Sequence, residues 1–200
     1  MINGINNHDQ VNLVKDAILD AGVLIDGHFV FAEGRHSLQK LEMDNLWLHD
    51  KSLGLVLGEM KKEMRKQNFD IVSGVPTGGM KLAEVLVESK SDDEKLIILK
   101  RIPGKGKRDY DLLNPDDRFL LKKAKSILII EDVVSSLGSV AAVVKLLRKF
   151  TRVNVEIHSL AIWRREEVNP EYGQEIFQHY LVEEAIPSFD KNDCPYPDCR

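Results

Sequence analysis

Hydrophobic residues recur along the chain in two spacings that predict helices and strands in alternation. Apolar residues at helical spacing predict helices over 10–22, 50–67, 79–89 and 138–149. Short apolar runs predict strands over 28–32, 70–75, 95–99, 126–130 and 153–163. The run 126–130 is apolar throughout, as in a parallel strand buried on both faces. Strands separated by helices predict an α/β fold, with a central, mostly parallel sheet flanked by helices.

The stretch 101–118 interrupts this alternation. It holds two glycines, two prolines and many charges, and is longer than ordinary connections in compact α/β units. Together with Lys100, its first residues place five basic side chains within nine positions, although the whole chain carries a formal charge of −4. A mobile, functional loop and an ordinary solvated loop both fit this pattern. The five basic residues are Lys100, Arg101, Lys105, Lys107 and Arg108.

Composition limits the classes of protein that fit. The length of 200 residues predicts a single domain, and 43% hydrophobic with 30% charged residues excludes collagen-like and wholly disordered chains. The net charge of −4 argues against a nucleic-acid partner. We find no apolar run long enough to span a membrane and no secretory signal, so we expect no membrane partner and a cytoplasmic location.

The two cysteines, Cys194 and Cys199, both lie in the last seven residues, which excludes a disulfide framework. Zinc usually requires four ligands in a structural site, and no CxxC or histidine pair lies near these cysteines in the sequence. We therefore expect a reduced, irregular tail and no protein-held metal site. His28 and His36 are expected to be surface or hydrogen-bonded structural residues.

Chemistry concentrates after the apolar strand 126–130. Glu131 and Asp132 follow it directly and can accept hydrogen bonds from a vicinal diol. The next residues, 135–139, read Ser-Ser-Leu-Gly-Ser before an apolar helix, and a helix N-terminus rich in hydroxyls suits a phosphate monoester. The simpler alternative is a serine-rich helix cap beside two solvated acids.

A second loop follows the strand 70–75. Thr77, Gly78 and Gly79 form a glycine-rich bend between that strand and a helix, which can bind an anion or be only a tight turn. Ligands of parallel sheets bind at the carboxyl ends of the strands. Two such loops on neighbouring strands predict a ligand with phosphate groups at separate ends.

These segments resemble the type I phosphoribosyltransferases, and among them the orotate phosphoribosyltransferases. The residues 127–139, ILIIEDVVSSLGS, look like the family's phosphoribosyl pyrophosphate motif, and 73–83, SGVPTGGMKLA, look like its pyrophosphate loop. The segment 27–37, GHFVFAEGRHS, resembles the hood of orotate enzymes. The resemblance implies a type I phosphoribosyltransferase-like fold. Its core would span 49–163, with hood segments at 1–48 and 164–200 and a mobile loop at 101–118.

The resemblance also implies a reaction, the transfer of 5-phosphoribose from phosphoribosyl pyrophosphate to orotate in pyrimidine biosynthesis. Magnesium would be held mainly through the donor, and the enzyme would be a homodimer. Another base, or a non-catalytic regulator that binds the donor or a nucleotide, remains an alternative. The implied catalytic residues are Glu131, Asp132, Lys100, Arg101 and Lys105. The implied substrate-binding residues are Val133, Val134, Ser135, Ser136, Leu137, Gly138, Ser139, Thr77, Gly78, Gly79, Lys107 and Arg35.

This sequence departs from the family pattern at several of these positions. Leu137 stands where the family usually has glycine, so we expect its side chain to hinder the phosphate or to impose another backbone path. The loop carries Lys100-Arg101 in swapped order and no histidine. In the hood, Arg35 remains as a cationic contact for the base. The donor site is therefore better defined by the sequence than the base site.

Overall fold

A computed structural model describes residues 7–31, 34–88, 95–106, 108–167, 170–173 and 175–196. The N-terminal part begins with helix α1 (Asn7–Asp20) and an antiparallel hairpin of strands β1 (Leu24–Val30) and β2 (His36–Leu41). A 3-10 turn (Met43–Leu48) leads into helix α2 (Asp50–Met64). Among the described residues, no helix combines the length and the apolar character that crossing a bilayer requires.

The remaining elements alternate largely as the sequence predicts. In chain order they are β3 (Ile71–Gly74), α3 (Gly78–Glu88), β4 (Lys95–Ile97), β5 (Leu99–Arg101), β6 (Tyr110–Leu112), α4 (Arg118–Leu121), β7 (Ser126–Val134), α5 (Gly138–Leu147), β8 (Glu156–Arg164), α6 (Pro170–Gly173) and β9 (Phe177–Glu183).

Five strands form the central sheet, in the order β4-β3-β7-β8-β9, and every neighbouring pair is parallel. Both faces are buried, because alternate side chains of β7 enter different hydrophobic clusters. Leu128 and Ile130 pack with α1, α2 and α3, whereas Ile127 and Ile129 pack with α5. This arrangement confirms the predicted α/β class with a central parallel sheet flanked by helices.

The stretch 101–118 is more ordered than its sequence suggests. The predicted strand 95–99 divides: Lys95–Ile97 joins the main sheet, and Leu99–Arg101 pairs with Tyr110–Leu112 in a separate hairpin. Leu99, Tyr110 and Leu112 are buried in the cluster that contains α5, so apolar packing fixes the base of this hairpin. Burial of these three residues explains why the expected irregular loop begins with a strand.

The C-terminal part divides between the sheet and the hood. Phe177–Glu183 forms the edge strand β9, although the sequence analysis places all of 164–200 in the hood. Beyond β9, the chain returns to the N-terminal hairpin, where the backbones of His36 and Phe189 exchange two hydrogen bonds of 2.8 Å. Ser37 Oγ also donates a hydrogen bond to the carbonyl oxygen of Pro187, at 2.7 Å. The N-terminal hairpin and the segment after Ile186 are therefore in direct contact.

Candidate active site

The candidate site lies at the carboxyl end of β7, which extends beyond the end of its neighbour β3. Gly74 pairs with Ile130 at the end of β3, whereas β7 continues alongside β8 to Val134. Glu131 and Asp132 therefore occupy the carboxyl edge of the sheet, on the open side left by the end of β3. The crevice at such a strand end is the usual ligand position in parallel sheets.

The loop after β3 fills part of this opening. The amide of Val75 donates a hydrogen bond of 2.9 Å to the carbonyl oxygen of Ile130. A Cβ on Gly79 would lie 2.3 Å from that same oxygen, and a Cβ on Gly78 would lie 1.9 Å from Asp132 Oδ2. Glycine is required at position 79, where the loop packs against the backbone of β7, whereas a side chain at position 78 would displace the Asp132 carboxylate. Thr77, which follows a cis peptide bond, is exposed at the rim.

The carboxyl pair is held by its own backbone. The amide of Asp132 donates to Glu131 Oε1 at 3.1 Å, and the amide of Val133 donates to Asp132 Oδ1 at 2.7 Å. Glu131 is only 7% exposed. Burial raises the pKa of Glu131 well above its ordinary value, the neighbouring Asp132 raises it further, and Arg101 opposes the shift. Glu131 thus retains a proton more readily than an exposed glutamate does.

The residues after Val134 enclose a cavity of about 180 Å³ at the first turn of α5. The first amides of a helix lack partners within the helix, so this turn offers donors and the positive end of the helix dipole to an anion. A phosphate group fits this combination. The cavity is lined by Arg108, Glu131, Val133, Val134, Ser135, Ser136, Leu137, Gly138, Ser139 and Val140.

Leu137 adopts the backbone conformation that glycine would otherwise supply. Its φ is 67°, in the left-handed region, and it directly precedes α5. Its side chain is 2% exposed and packs in the apolar cluster beneath α5. The expected obstruction of the phosphate is therefore relieved by the course of the backbone, which turns the side chain into the core.

Two arginines of the hairpin reach the two loops. Arg101 donates a hydrogen bond from Nη2 to the carbonyl oxygen of Pro76, at 2.8 Å. Arg108 covers the start of α5 so closely that a Cβ on Gly138 would lie 2.5 Å from its Nη1. By sequence Arg108 is only one of the loop's charges, and its proximity to α5 arises only on folding.

Other parts of the hairpin contribute less directly. Tyr110 is buried and hydrogen-bonds with the Ser139 side chain, and burial raises its pKa. Lys100 and Lys105 are exposed, and within the described ranges neither makes a hydrogen bond or an ion pair with the carboxyl pair. Lys107 lies outside the described residues. The structure therefore places Arg101 next to the carboxylates and leaves the two lysines in solvent.

The hood contributes two arginines of different character. Arg35, which the sequence predicts to contact the base, donates to Ser188 Oγ at 2.9 Å and lies 3.5 Å from Asp190, so it joins the hairpin to the C-terminal segment. Arg165 is 8% exposed, its guanidinium lies 4.4 Å above the Phe31 ring, and its backbone amide bonds to the Val134 carbonyl. Its Nε is buried and donates to none of the described groups. Arg165 thus connects the end of β7 with the hood.

Comparisons with known proteins agree with this geometry, although no family model matches the chain. The orotate phosphoribosyltransferase of Pyrococcus abyssi is 32% identical over 142 residues, which cover 68% of this chain and 72% of that protein. The crystal structure of orotate phosphoribosyltransferase from Aeropyrum pernix aligns with a TM-score of 0.65 at 19% identity, over 86% of this chain and 93% of that chain. The Mycobacterium tuberculosis enzyme in complex with 5-phospho-α-D-ribosyl 1-diphosphate aligns with a TM-score of 0.59 at 11% identity, over 88% and 96% of the two chains.

The parallel sheet, with its loops after β3 and β7, defines a type I phosphoribosyltransferase fold, and the solved structures share that fold. The identity and coverage of the Pyrococcus relative establish the family. The chain belongs to the orotate phosphoribosyltransferases.

Proposed function

We propose that this protein transfers 5-phosphoribose from phosphoribosyl pyrophosphate to a ring nitrogen of orotate, and that it releases pyrophosphate and orotidine 5′-phosphate. One observation carries the proposal. The carboxyl pair Glu131-Asp132 lies between the phosphate cavity that follows β7 and the loop Thr77-Gly78-Gly79 that follows β3. A sugar with a phosphate at one end and a pyrophosphate at the other matches this order of groups.

The 5′-phosphate occupies the cavity at the start of α5. Hydroxyls of Ser135, Ser136 and Ser139 line it, and the first amides of α5 supply further donors. Arg108 adds a guanidinium, which can form two parallel hydrogen bonds with phosphate oxygens. Close approach of Arg108 to Gly138 places this charge directly over the loop.

The ribose lies against the carboxyl pair. Asp132 offers carboxylate oxygens to a ribose hydroxyl, and the raised pKa of Glu131 allows that side chain to donate as well as accept a hydrogen bond. As the bond to pyrophosphate breaks, positive charge develops on the sugar ring. A negative carboxylate beside the ring stabilises that charge more than it stabilises the ground state, which lowers the barrier.

The pyrophosphate lies against the loop after β3. The backbone of Gly78 and Gly79 approaches β7 closely, and Arg101 is anchored at the same loop through Pro76. The carboxylate oxygens of Asp132 and the phosphate oxygens of phosphoribosyl pyrophosphate are suitable ligands for a hard divalent cation. When bound, magnesium would neutralise charge on the leaving pyrophosphate.

Arg165 and Phe31 provide the base subsite. The Arg165 guanidinium is buried and stacks on the Phe31 ring. Its Nη2 donates to Glu166 Oε1 at 2.7 Å, whereas its buried Nε has no partner among the described groups. A planar anionic base such as orotate can accept a hydrogen bond from the guanidinium and can stack on the aromatic ring. Because Arg165 follows β8 and bonds to Val134, this subsite lies beside the phosphate cavity.

The proposal includes a cytoplasmic homodimer. Lys100 and Lys105 are exposed on the hairpin, so they are accessible to the active site of a second copy. The family resemblance implies this exchange of loop cations between subunits. Size-exclusion chromatography with light scattering tests it, and a monomer at the enzyme's working concentration would contradict it.

The decisive experiment follows orotate absorbance after mixing protein, orotate, phosphoribosyl pyrophosphate and magnesium. We expect loss of orotate only when all components are present, and a sharp decrease for Asp132→Asn. Asp116→Asn, at an exposed position on the hairpin side of α4, is the matched control and should keep full activity. Turnover of another base instead of orotate would overturn the choice of base. Donor binding without turnover of any base would indicate a regulatory protein.

A further inference from the structure

We propose that His28, His36 and Cys194 form a zinc-binding site that fastens the C-terminal segment to the N-terminal hairpin. One imidazole nitrogen from each histidine and the cysteine sulfur all lie within 4.8 Å of one another. His28 Nε2 is 3.0 Å from His36 Nδ1 and 3.6 Å from Cys194 Sγ. The site lies in the hood and does not depend on the base or the donor that the enzyme uses.

These spacings suit tetrahedral zinc. With Zn–N bonds of about 2.0–2.1 Å and a Zn–S bond of about 2.3 Å, neighbouring ligands lie about 3.3 Å apart for two nitrogens and about 3.6 Å apart for nitrogen and sulfur. The observed 3.0 Å and 3.6 Å need only small adjustments. Two imidazoles and a thiolate are ligands that zinc prefers over the hard cations. Three ligands from the described part of the chain leave a fourth position, which we assign to water.

Each ligand is positioned by the backbone around it. The pairing of β1 with β2 shifts register between Asp26 and Phe29, so His28 lies at an irregular position of the strand. Such bulges redirect a side chain. His36 begins β2 and is fixed by its two backbone hydrogen bonds with Phe189. Cys194 follows the 3-10 turn Lys191–Asp193. The three ligands therefore meet through the fold and not through a local sequence motif.

The surroundings of the three side chains favour metal binding, because they shield the ligands from water and fix their orientation. His36 is 6% exposed and Cys194 is 4% exposed, so two of the three ligands are shielded from water. The Tyr196 ring stacks on His28 with centroids 4.4 Å apart and planes at 6°. Stacking limits rotation of the His28 ring, as the neighbours of a metal-binding histidine commonly do. The site thus combines partial burial with fixed ligand orientation, and both favour binding of a zinc ion.

From the sequence a reduced tail is favoured over zinc, because no histidine pair or CxxC motif lies near Cys194 along the chain. The histidines come from the opposite end of the chain, and the hood brings them to the cysteine. Cys199, five positions further on, lies outside the described residues and is not one of the three proposed ligands.

The test uses the full-length protein after treatment with a chelator. Zinc is then titrated into the protein in the presence of a chromophoric chelator that competes for it. We expect the protein to bind one zinc ion per chain. Cobalt substitution should give the visible bands of a tetrahedral site together with a near-ultraviolet charge-transfer band from a coordinated thiolate. Cobalt spectra without the thiolate band, or zinc binding too weak to compete with the chromophore, would overturn the proposal.

Variants identify the ligands. Cys194→Ser and His28→Gln should each weaken zinc binding by more than about a hundredfold, since changes in residues that only support a ligand already cost 10–100-fold. His49→Gln is the matched histidine control, because His49 is exposed and outside the cluster. Cys199→Ser is the matched cysteine control, because Cys199 is not one of the three proposed ligands. Circular dichroism in the presence of chelator verifies that the variants fold. Unchanged zinc affinity in Cys194→Ser, or loss of binding in Cys199→Ser alone, would refute this ligand set.

The site has a second, independent readout. Zinc that binds only the folded hood stabilises it by mass action, so the thermal midpoint of the unmodified protein should rise with zinc concentration. Cys194→Ser should show no such rise, whereas His49→Gln should behave like the parent protein. An equal rise in the parent and in Cys194→Ser would place the zinc elsewhere.

Discussion

Leu137 combines a buried side chain with a left-handed backbone, so its substitution changes the free energy of unfolding through two opposing effects. The side chain is 2% exposed, and truncating a buried leucine to alanine costs about 2–5 kcal/mol. The φ of 67° costs any L-residue about 1–2 kcal/mol, which glycine avoids. Leu137→Ala should therefore lose about 2–5 kcal/mol, because it removes packing and keeps the strained backbone.

The further step from alanine to glycine at position 137 isolates the backbone effect. Relief of about 1–2 kcal/mol of strain is opposed by about 0.8 kcal/mol for the lost methyl group and by about 0.5–1 kcal/mol for the greater freedom of unfolded glycine. The two variants should therefore have nearly equal stability. The same step at Val143, which is 0% exposed in the interior of α5, should cost about 2 kcal/mol, since helix propensity and burial act in the same direction.

Urea denaturation followed by circular dichroism measures all four variants, and linear extrapolation gives their free energies of unfolding. The expected result is a difference of about 1–2 kcal/mol between the alanine-to-glycine steps at the two positions. Equal costs at 137 and 143 would refute the left-handed backbone at Leu137. The explanation of how the phosphate loop tolerates leucine would then fail as well.

Three further changes test the active site. Gly78→Ala puts a Cβ 1.9 Å from Asp132 Oδ2. Calorimetry should therefore show that the affinity for phosphoribosyl pyrophosphate falls at least about tenfold while the fold is retained. Unchanged affinity would contradict that contact. Arg108→Gln should weaken the binding of inorganic phosphate, and the loss of affinity should become smaller as the salt concentration rises. A loss that does not depend on salt would argue against an effect of the Arg108 charge. Burial raises the pKa of Glu131 above 4.5, so its ionisation destabilises the fold as pH rises beyond that value. The thermal midpoint of Glu131→Gln should rise relative to that of the parent protein from about pH 5 upward. A difference that does not change with pH would contradict the raised pKa of Glu131.

The sequence predicts the sheet well, and it locates the loops that follow β3 and β7, because both depend on local patterns. The continuous apolar run before Glu131 identifies a strand buried on both faces, and glycines and serines at strand ends mark anion-binding turns. Strand β9 is not predicted from the sequence, because Phe177–Glu183 mixes polar and apolar residues, as edge strands commonly do. The hairpin base is missed because Leu99, Tyr110 and Leu112 become apolar partners only through tertiary packing.

The site residues that sequence reasoning misses or misplaces depend on contacts between distant segments. Arg108 belongs to a charged loop by sequence, and only the course of the hairpin puts it above Gly138. Arg35 has the charge expected for a base contact, yet Ser188 and Asp190 engage it. Arg165 follows the end of a strand, where a charged residue is commonly solvated, yet the structure buries it against Phe31.

The pairing of β3 with β7 has a consequence for the folding of the chain. These adjacent strands are separated in sequence by α3, β4, the β5–β6 hairpin and α4, so the pairing must close a long loop and is expected late in folding. Gly78 meets Asp132 across this pairing, so the loop after β3 and the carboxylate come together only once the two strands have paired. During refolding, the capacity to bind donor should therefore appear after helical circular dichroism has recovered. Ligand binding by this protein thus reports the completion of its central sheet.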